Sequence, residues 1–166
     1  MKYCDHLDKL CAALEGAGAF LVVEDGIGRV NVMTIGWAQV GVIWGQPMMT
    51  VLVRPSRHTH DLLAKATHFS VCVPPAGAMK KELAFCGSKS GRDYDKARVC
   101  GLTFKPGYGH KVRYVSGCEL VYQCELYGNT RIEAETAAPP ALSRYYPGDG
   151  DLHTVYFGKI VKAEKF

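Results

Sequence analysis

Residues 31–59, NVMTIGWAQVGVIWGQPMMTVLVRPSRHT, form the stretch that decides the fold of this chain. The stretch begins with a strand pattern, in which Met33, Ile35 and Trp37 share one face and smaller or polar residues take the other. Gly36 removes a side chain from this strand, and such a gap often marks the close approach of a ligand or another backbone. We therefore expect the strand to bring its backbone close to a ligand or to a neighbouring segment.

The second half of the stretch predicts an anion site. A turn is predicted at residues 45–47, and a second strand over 48–53 runs directly into Arg54-Pro55-Ser56-Arg57-His58-Thr59. Free N–H groups at a strand-to-helix junction favour an anion, and guanidinium groups strengthen its binding. The alternative interpretation is a solvated helix start, with Thr59 as the cap.

Size and composition limit the classes of protein that this chain can form. Its 166 residues suit one domain over 1–166, and 48% apolar with 22% charged residues is typical of a globular protein. The net charge of +4 is mild and scattered, so we expect no nucleic-acid partner. No apolar run approaches the ~20 residues of a membrane helix, so we expect no membrane association.

The cysteines indicate a reducing compartment. There are seven, an odd number, and no two of them form a Cys-x-x-Cys pair. The chain also begins without a signal-peptide pattern. We therefore expect free thiols and a cytoplasmic protein.

The remaining sequence predicts short strands and short helices. Gly128-Asn129 marks a turn or bulge, and residues 24–28 and 105–109 read as connections. Because nothing alternates a strand with a long helix, the pattern favours a small antiparallel barrel with helices at its rim. Helices are predicted over 5–15 (capped by Asp5), 61–66, 79–85, 93–99 and 141–146, and further strands over 19–23, 69–73, 153–162 and twice within 112–133.

Three further features have more than one interpretation. The loop over residues 86–93, CGSKSGRD, is either a flexible connection or a set of donors for a phosphate or a polar ring edge. Cys86 is either a redox thiol or a buried small residue; no disulfide relay is expected, since Cys100 is fourteen residues away, beyond a predicted helix. His153 is either a site residue or a surface histidine.

His58 and His60 are the candidate metal ligands. No cysteine or carboxylate is spaced to join them as a typical site requires, so we expect no metal. Trp37 and Trp44 are expected in the core or at an interface.

Five segments, in this order and at these spacings, resemble the flavin reductase-like family, and the flavoredoxin-type members in particular. The resemblance extends from about Gly18 to Ile160. The segments are NVMTIGW (31–37), VRPSRHT (53–59), FSVCVP (69–74), FCGSKSGRDYDK (85–96) and HTVYFGKI (153–160).

This resemblance implies a mainly β fold, an antiparallel, Greek-key-like FMN-binding split β-barrel with short peripheral helices, that works as a homodimer. It names no certain catalytic residue, and Cys86 and His153 are the flavin-facing candidates. It assigns four groups of cofactor-binding residues: Asn31, Met33, Thr34 and Ile35 on the flavin-bearing strand; Arg54, Ser56, Arg57 and Thr59 at the phosphate; Cys86, Gly87, Ser88, Ser90, Gly91, Arg92, Asp93 and Lys96 in a glycine-serine loop; and His153 near the ring.

The resemblance also implies an oxidoreductase. FMN would carry reducing equivalents from NAD(P)H, as co-substrate, to a small-molecule or protein electron acceptor. One alternative is an FMN-binding electron carrier without NAD(P)H turnover. A weaker alternative is a haem-binding split barrel, in which His153 or His110 would serve as axial ligand.

Overall fold

The computed structural model describes residues 1–25, 27–148 and 150–166. In this part of the chain the strands are β1 (Ala19–Glu24), β2 (Val30–Ile35), β3 (Ala38–Ile43), β4 (Gln46–Val53), β5 (His68–Val73), β6 (Phe104–Pro106), β7 (Arg113–Val115), β8 (Leu120–Arg131) and β9 (Thr154–Lys165). The α-helices are α1 (Leu7–Glu15), α2 (His58–Leu63), α3 (Lys80–Ser88), α4 (Lys96–Val99) and α5 (Pro139–Tyr145). Two single 3-10 turns cover Tyr108–His110 and Ala134–Thr136.

Seven strands form one antiparallel sheet in the order β2-β1-β5-β8-β9-β4-β3, and β6 pairs with β7 beside it. Strands β2 and β3 are therefore at opposite ends of the sheet, although only Gly36 and Trp37 separate them. The three Cα–Cα steps of this link span at most about 11 Å, so the sheet has to curl until its ends meet. The Leu52 N–H donates to the Trp37 carbonyl at 3.3 Å, which extends the β3–β4 pairing up to this link. The result is an antiparallel barrel with a seam between β2 and β3.

Two hydrophobic clusters lie on opposite faces of the sheet. The barrel interior is filled by side chains such as Leu21, Met49 and Phe69, which are fully buried. A second cluster, which includes Val32 and Leu83, packs α3 against the outer face of β1 and β2. Because β1 is covered on both faces, it is apolar at every position from Ala19 to Val23. This packing sets the segment that follows α3 beside β2.

Several predicted helix limits differ from the structure. Helix α1 begins at Leu7, because the Asp5 carboxylate accepts from the Lys2 N–H at 2.9 Å and caps no helix. Helix α2 begins at His58, so Thr59 lies inside its first turn and is not the cap. Helix α3 continues to Ser88, whose hydroxyl donates to the Ala84 carbonyl at 2.9 Å. The first three residues of the predicted loop over 86–93 are therefore helical.

Helix α4 is also shorter than predicted. It begins at Lys96 because the Asp95 side chain caps it, accepting a hydrogen bond from the Arg98 N–H at 3.0 Å. Within the described residues, no helix has both the length and the apolar composition needed to cross a membrane.

The predicted turn at residues 45–47 is wrong by one residue. Trp44 and Gly45 carry positive φ values of 53° and 67° and form a two-residue hairpin turn, so β4 already begins at Gln46. Of the turn or bulge predicted at Gly128-Asn129, the bulge is present, since the register of the β8–β9 pairing shifts between Leu126 and Gly128. Residues 105 and 106 belong to β6, where a connection was expected. In the predicted connection over 24–28, Gly26 lies outside the described residues.

Candidate functional site

A cationic cavity lies between the start of α2 and the segment that follows α3; we call it the anion pocket. Its volume is about 300 Å³. Four positively charged side chains and one carboxylate line it: Arg57, Lys89, Arg92, Lys96 and Asp93. Hydroxyl-bearing residues and Gly91 complete the wall: Ser56, Thr59, Ser88 and Ser90. The pocket suits a phosphate, because its cationic groups can donate to the phosphate oxygens together with the Thr59 and Ser90 hydroxyls, which accept hydrogen bonds within the protein and keep their own protons to donate.

Two arginines connect the segments that form the pocket. Arg57 donates from Nη2 to the Gly87 carbonyl. Arg92 donates from Nη1 to the Ser56 carbonyl at 3.0 Å and from Nη2 to Asp61 at 2.6 Å. The predicted phosphate segment and the predicted glycine-serine loop, thirty residues apart along the chain, are thus brought together. Since α2 has six residues, the pocket depends on side-chain cations more than on a helix dipole.

Strand β2 forms one side of the pocket. Asn31 donates from Nδ2 to the Thr59 hydroxyl at 2.8 Å, and Met33 lines the cavity. The segment after α3 rests directly on this strand at Gly91, where a Cβ atom would lie 2.2 Å from the Asn31 Oδ1. Only glycine permits so close an approach.

Thr34 and Ile35, the next two residues of β2, can contact a ligand only through their backbone atoms. The Thr34 hydroxyl donates to the Leu83 carbonyl at 2.6 Å, which turns it toward α3. The Ile35 side chain is buried in the barrel interior.

The other residues of the glycine-serine loop have local partners. The Ser90 hydroxyl accepts from the Arg92 N–H at 3.1 Å, and Asp93 is exposed. The Ser88 hydroxyl is engaged within α3. The backbone of Gly87 packs against the Thr34 side chain, since a Cβ atom there would lie 3.4 Å from the Thr34 Cβ.

Lys96 is the buried cation of the pocket. Its side chain is 4% exposed, and its Nζ donates to the Cys86 carbonyl at 3.2 Å. Burial, together with the nearby Arg57 guanidinium, lowers the pKa of Lys96 to about 8. Its charge therefore depends on pH close to the physiological range.

This lowered pKa predicts a pH-dependent affinity for FMN. The protonated amine attracts the phosphate, so the dissociation constant for FMN should rise about tenfold as the pH increases from 7 to 9.5. Titration of the protein with FMN, followed by flavin fluorescence, measures the dissociation constant at each pH. Riboflavin, which lacks the phosphate, controls for ionisation of the ring and should show no step. A Lys96→Met variant should bind FMN weakly at pH 7, and its affinity for FMN should not change further up to pH 9.5. The same pH-dependent loss of affinity in this variant would show that Lys96 is not the titrating group.

Arg54 and Ser56 contact the segment before β9. Arg54 donates to the carbonyls of Asp151 and Tyr145, at 3.0 and 2.7 Å, and its guanidinium lies 5.0 Å from the Tyr146 ring centre. The Ser56 N–H and hydroxyl donate to the Asp151 carboxylate at 3.1 and 2.6 Å. Burial alone would raise the pKa of Asp151, but these bonds lower it. The residues of the predicted phosphate segment therefore have two different roles: Arg57 and Thr59 face the pocket, whereas Arg54 binds the backbone at Tyr145 and Asp151.

His153 belongs to an aromatic group made with Trp37, Tyr145 and Tyr146. Its Nδ1 is 2.8 Å from the Tyr146 hydroxyl, and its ring centre is 4.6 Å from that of Trp37. Burial and the Arg54 charge lower the pKa of His153 to about 4, so the imidazole is neutral at physiological pH. The sequence analysis did not identify Tyr145 and Tyr146 as site residues. Nothing in the sequence around them indicates that they contact Arg54 and so lie beside Trp37.

Cys86 places its backbone, but not its thiol, beside the pocket. The side chain is fully buried in the cluster under α3, and burial raises the pKa of the thiol to about 12. Although Cys100 was expected beyond a helix, it packs against the same cluster as Cys86, and its proximity contributes to the raised pKa of the Cys86 thiol. The chain reverses after α3, and α4 is a single turn, which returns Cys100 to the same cluster. A thiol that stays protonated at neutral pH is a poor nucleophile.

The two candidate metal ligands have separate partners. His60 Nε2 lies 3.2 Å from the Thr154 hydroxyl, whereas His58 Nδ1 lies 3.9 Å from Asp61. Across residues 1–25, 27–148 and 150–166, no group of three or more metal-ligating side chains occurs.

The anion pocket and the aromatic group are connected by residues 54–57, which contact both. The candidate site therefore has a cationic part and an aromatic part, which one backbone segment joins. Ligand sites commonly combine aromatic walls with a few placed polar groups, as these two parts do. The chain belongs to the flavin reductase-like domain family, whose sequence model matches residues 15–165.

Known relatives support this family and fold. An FMN-binding protein from Thermus thermophilus, solved with bound p-hydroxybenzaldehyde, is 26% identical with a TM-score of 0.67; the match covers 89% of this chain and 70% of that one. A flavoredoxin from Methanosarcina acetivorans is 24% identical with a TM-score of 0.67, covering 89% and 67% of the two chains. An uncharacterised protein of Archaeoglobus fulgidus is 28% identical over 142 residues, 86% of this chain and 68% of that protein. The predicted split β-barrel is thereby confirmed.

Proposed function

We propose that this protein is an FMN-dependent oxidoreductase that takes reducing equivalents from NADH or NADPH and passes them to a small-molecule or protein acceptor. The observation that carries the proposal is the candidate site, in which the segment 54–57 joins a pocket with four cations to an aromatic group. The odd number of cysteines supports a reducing, cytoplasmic setting.

The residues present fit FMN in both parts of the site. Arg57, Lys89 and Arg92 would hold the phosphate together with Lys96, and the close packing of Gly91 on Asn31 orders the loop that carries them. In the aromatic part, Trp37 and the neutral His153 offer flat surfaces and one imidazole hydrogen bond without an added charge. When bound, FMN supplies the hydride acceptance and the electron release. The protein then has to position and shield the ring, and no side-chain acid or base is required.

Anaerobic titration of the FMN-loaded protein with NADH and with NADPH tests the function. We expect one of them to bleach the flavin absorption stoichiometrically. If dithionite bleaches the flavin and neither nicotinamide does, the protein is an electron carrier without NAD(P)H turnover. A haem Soret band in the purified protein would contradict both forms of the proposal.

We further propose that the protein works as a two-fold homodimer. Strand β3 ends the sheet order, and the turn that follows it exposes an apolar patch. Trp44 is 61% exposed, and its ring centre lies 5.8 Å from that of Tyr127 and 5.5 Å from that of Phe157. Val42, beside it, is 62% exposed. An edge strand with such a patch favours pairing with a second copy.

Placing a charge in this patch should dissociate the dimer. A Trp44→Asp variant would bury a carboxylate in the interface, so light scattering at micromolar concentration should report the 18.2 kDa chain, whereas the wild type gives twice that mass. Tyr108→Asp is the matched control, since Tyr108 is 47% exposed on a distant turn. A wild-type particle of 18.2 kDa that still holds flavin would overturn the proposal.

A further inference from the structure

A hydrogen bond joins Tyr146 to His153 inside the aromatic group. The Tyr146 hydroxyl oxygen lies 2.8 Å from His153 Nδ1, and the two ring centres are 5.6 Å apart. Both side chains are half-buried. The function proposed above uses the imidazole of His153 and assigns no role to the Tyr146 hydroxyl.

The chemistry of the two groups decides which of them donates. The His153 imidazole is neutral at physiological pH, because burial and the Arg54 charge lower its pKa to about 4. A neutral imidazole has one N–H group and one nitrogen with a free electron pair. That nitrogen is a stronger acceptor than a phenol oxygen, so the Tyr146 hydroxyl donates to Nδ1. The imidazole proton is then carried by Nε2, because the partner of one ring nitrogen sets the protonation of the other.

Arg54 holds both partners of this hydrogen bond. Its guanidinium lies 5.0 Å from the Tyr146 ring centre, and a cation in this position makes the phenol a better donor. It donates to the Tyr145 carbonyl at 2.7 Å, one residue before Tyr146. It also donates to the Asp151 carbonyl at 3.0 Å, two residues before His153. One side chain therefore fixes the backbone beside each member of the pair.

The second ring nitrogen of His153, Nε2, remains for a ligand. Within the described residues it has no hydrogen-bond partner, and it is not one of the buried polar atoms. The Trp37 ring supports the imidazole, with its centre 4.6 Å away and its plane inclined by 40°. An N–H donor held in this way stabilises an acceptor that gains negative charge, as the polar edge of a flavin ring does on reduction.

We propose that Tyr146 is a positioning residue, which holds His153 in the tautomer with the proton on Nε2 and so makes the imidazole a hydrogen-bond donor to the flavin ring. The inference rests on the proposed function, which gives His153 the flavin as its ligand. The Tyr146 hydroxyl thereby raises the affinity for reduced flavin relative to oxidised flavin without a contact of its own to the ring.

Nitrogen NMR of the flavin-free protein, labelled at histidine, tests the tautomer directly. At pH 7 the wild type should show His153 with a protonated Nε2 and an unprotonated Nδ1, and a His153→Gln variant assigns these signals. Tyr146→Phe keeps the ring and removes only the hydroxyl. In this variant the tautomer with the proton on Nδ1 should appear beside the first, because the donor that excluded it is gone.

Redox titration of the FMN-loaded protein tests the effect of the tautomer on the flavin. Tyr146→Phe should lose about three- to tenfold in affinity for reduced relative to oxidised FMN, the contribution of one hydrogen bond. This loss corresponds to a decrease of about 14–30 mV in the two-electron potential. Tyr108→Phe is the matched control, since it removes an exposed hydroxyl in the turn between β6 and β7, and it should leave the potential unchanged.

A double variant separates this role from a general disturbance of the site. In a His153→Gln background, Tyr146→Phe should leave the potential unchanged, because no imidazole tautomer is left to hold. An equal shift in both backgrounds would show that Tyr146 acts in another way and would overturn the proposal.

Two further results would overturn it: wild-type His153 carries its proton on Nδ1, or Tyr146→Phe has the tautomer populations and the potential of the wild type. A protein that binds no FMN would refute the proposed function, whereas NMR of the flavin-free protein would still decide whether Tyr146 fixes the tautomer.

Discussion

Replacing Arg57 with alanine should raise the dissociation constant for FMN by about tenfold to more than a hundredfold. The guanidinium lines the anion pocket and also holds the Gly87 carbonyl, so its loss removes a phosphate donor and a tie to the end of α3. A hydrogen bond to a charged group contributes about 1.5–3 kcal/mol, which gives this range. The quenching of flavin fluorescence on binding measures the dissociation constants of both FMN and riboflavin.

Riboflavin separates a phosphate contact from a general disturbance of the site. It should bind almost equally to the wild type and to Arg57→Ala, because the ring does not need this donor. Lys162→Ala, which changes an exposed basic residue that lines neither the anion pocket nor the aromatic group, should leave both affinities unchanged. Unchanged FMN affinity in Arg57→Ala would refute the assignment, and an equal loss for riboflavin would show that the residue acts through loop structure alone.

A Gly158→Ala substitution should destabilise the fold by about 1–3 kcal/mol, the usual range for overpacking a core. Gly158 lies in β9, and a Cβ atom there would be 2.3 Å from the Phe69 Cζ and 2.8 Å from the Cys124 Cβ. Phe69 is fully buried in the barrel, so its ring has little room to move. For a chain of this size the loss corresponds to a decrease in Tm of roughly 2–12 °C. Thermal and urea unfolding of the flavin-free protein measure it.

Gly41→Ala is the matched control for this substitution. Gly41 also lies in a strand, β3, but nothing is within 4 Å of its added Cβ, so stability should stay within about 0.5 kcal/mol of the wild type. Combining Phe69→Leu, which removes the opposing ring, with Gly158→Ala should lower the free energy of unfolding by less than the sum of the two single substitutions. Additive losses, or a Gly158→Ala protein as stable as the wild type, would contradict this account of the packing.

Local sequence patterns predicted most of the strands, because a strand's alternation depends on neighbours two residues apart. The segment 19–23 was placed correctly for this reason. Helix limits were less accurate. The first residues of α1 and α2 depend on which group caps the first turn. The Asp5 carboxylate instead accepts from the Lys2 N–H, and the Thr59 hydroxyl accepts from the Asn31 amide.

The candidate site was predicted in part, because its residue types are grouped in two short segments. Arg57, Thr59 and the loop residues from Ser90 to Lys96 do converge. Arg54 was expected beside them, yet it binds carbonyls about a hundred residues further along the chain, and no local pattern encodes such a partner. The proximity of Cys86 and Cys100 was missed for the same reason.

The sequence by itself determined the antiparallel β class, the family and the two cationic segments, since these depend on periodicity, composition and the order of motifs. Only the tertiary structure decided which groups meet. It buried Lys96 and so lowered its pKa, set Gly91 on Asn31, and turned Arg54 away from the anion pocket toward the aromatic group. Burial and contact between residues far apart in the chain follow from the curling of the sheet and the packing of α3 on it, and no short window of sequence contains them.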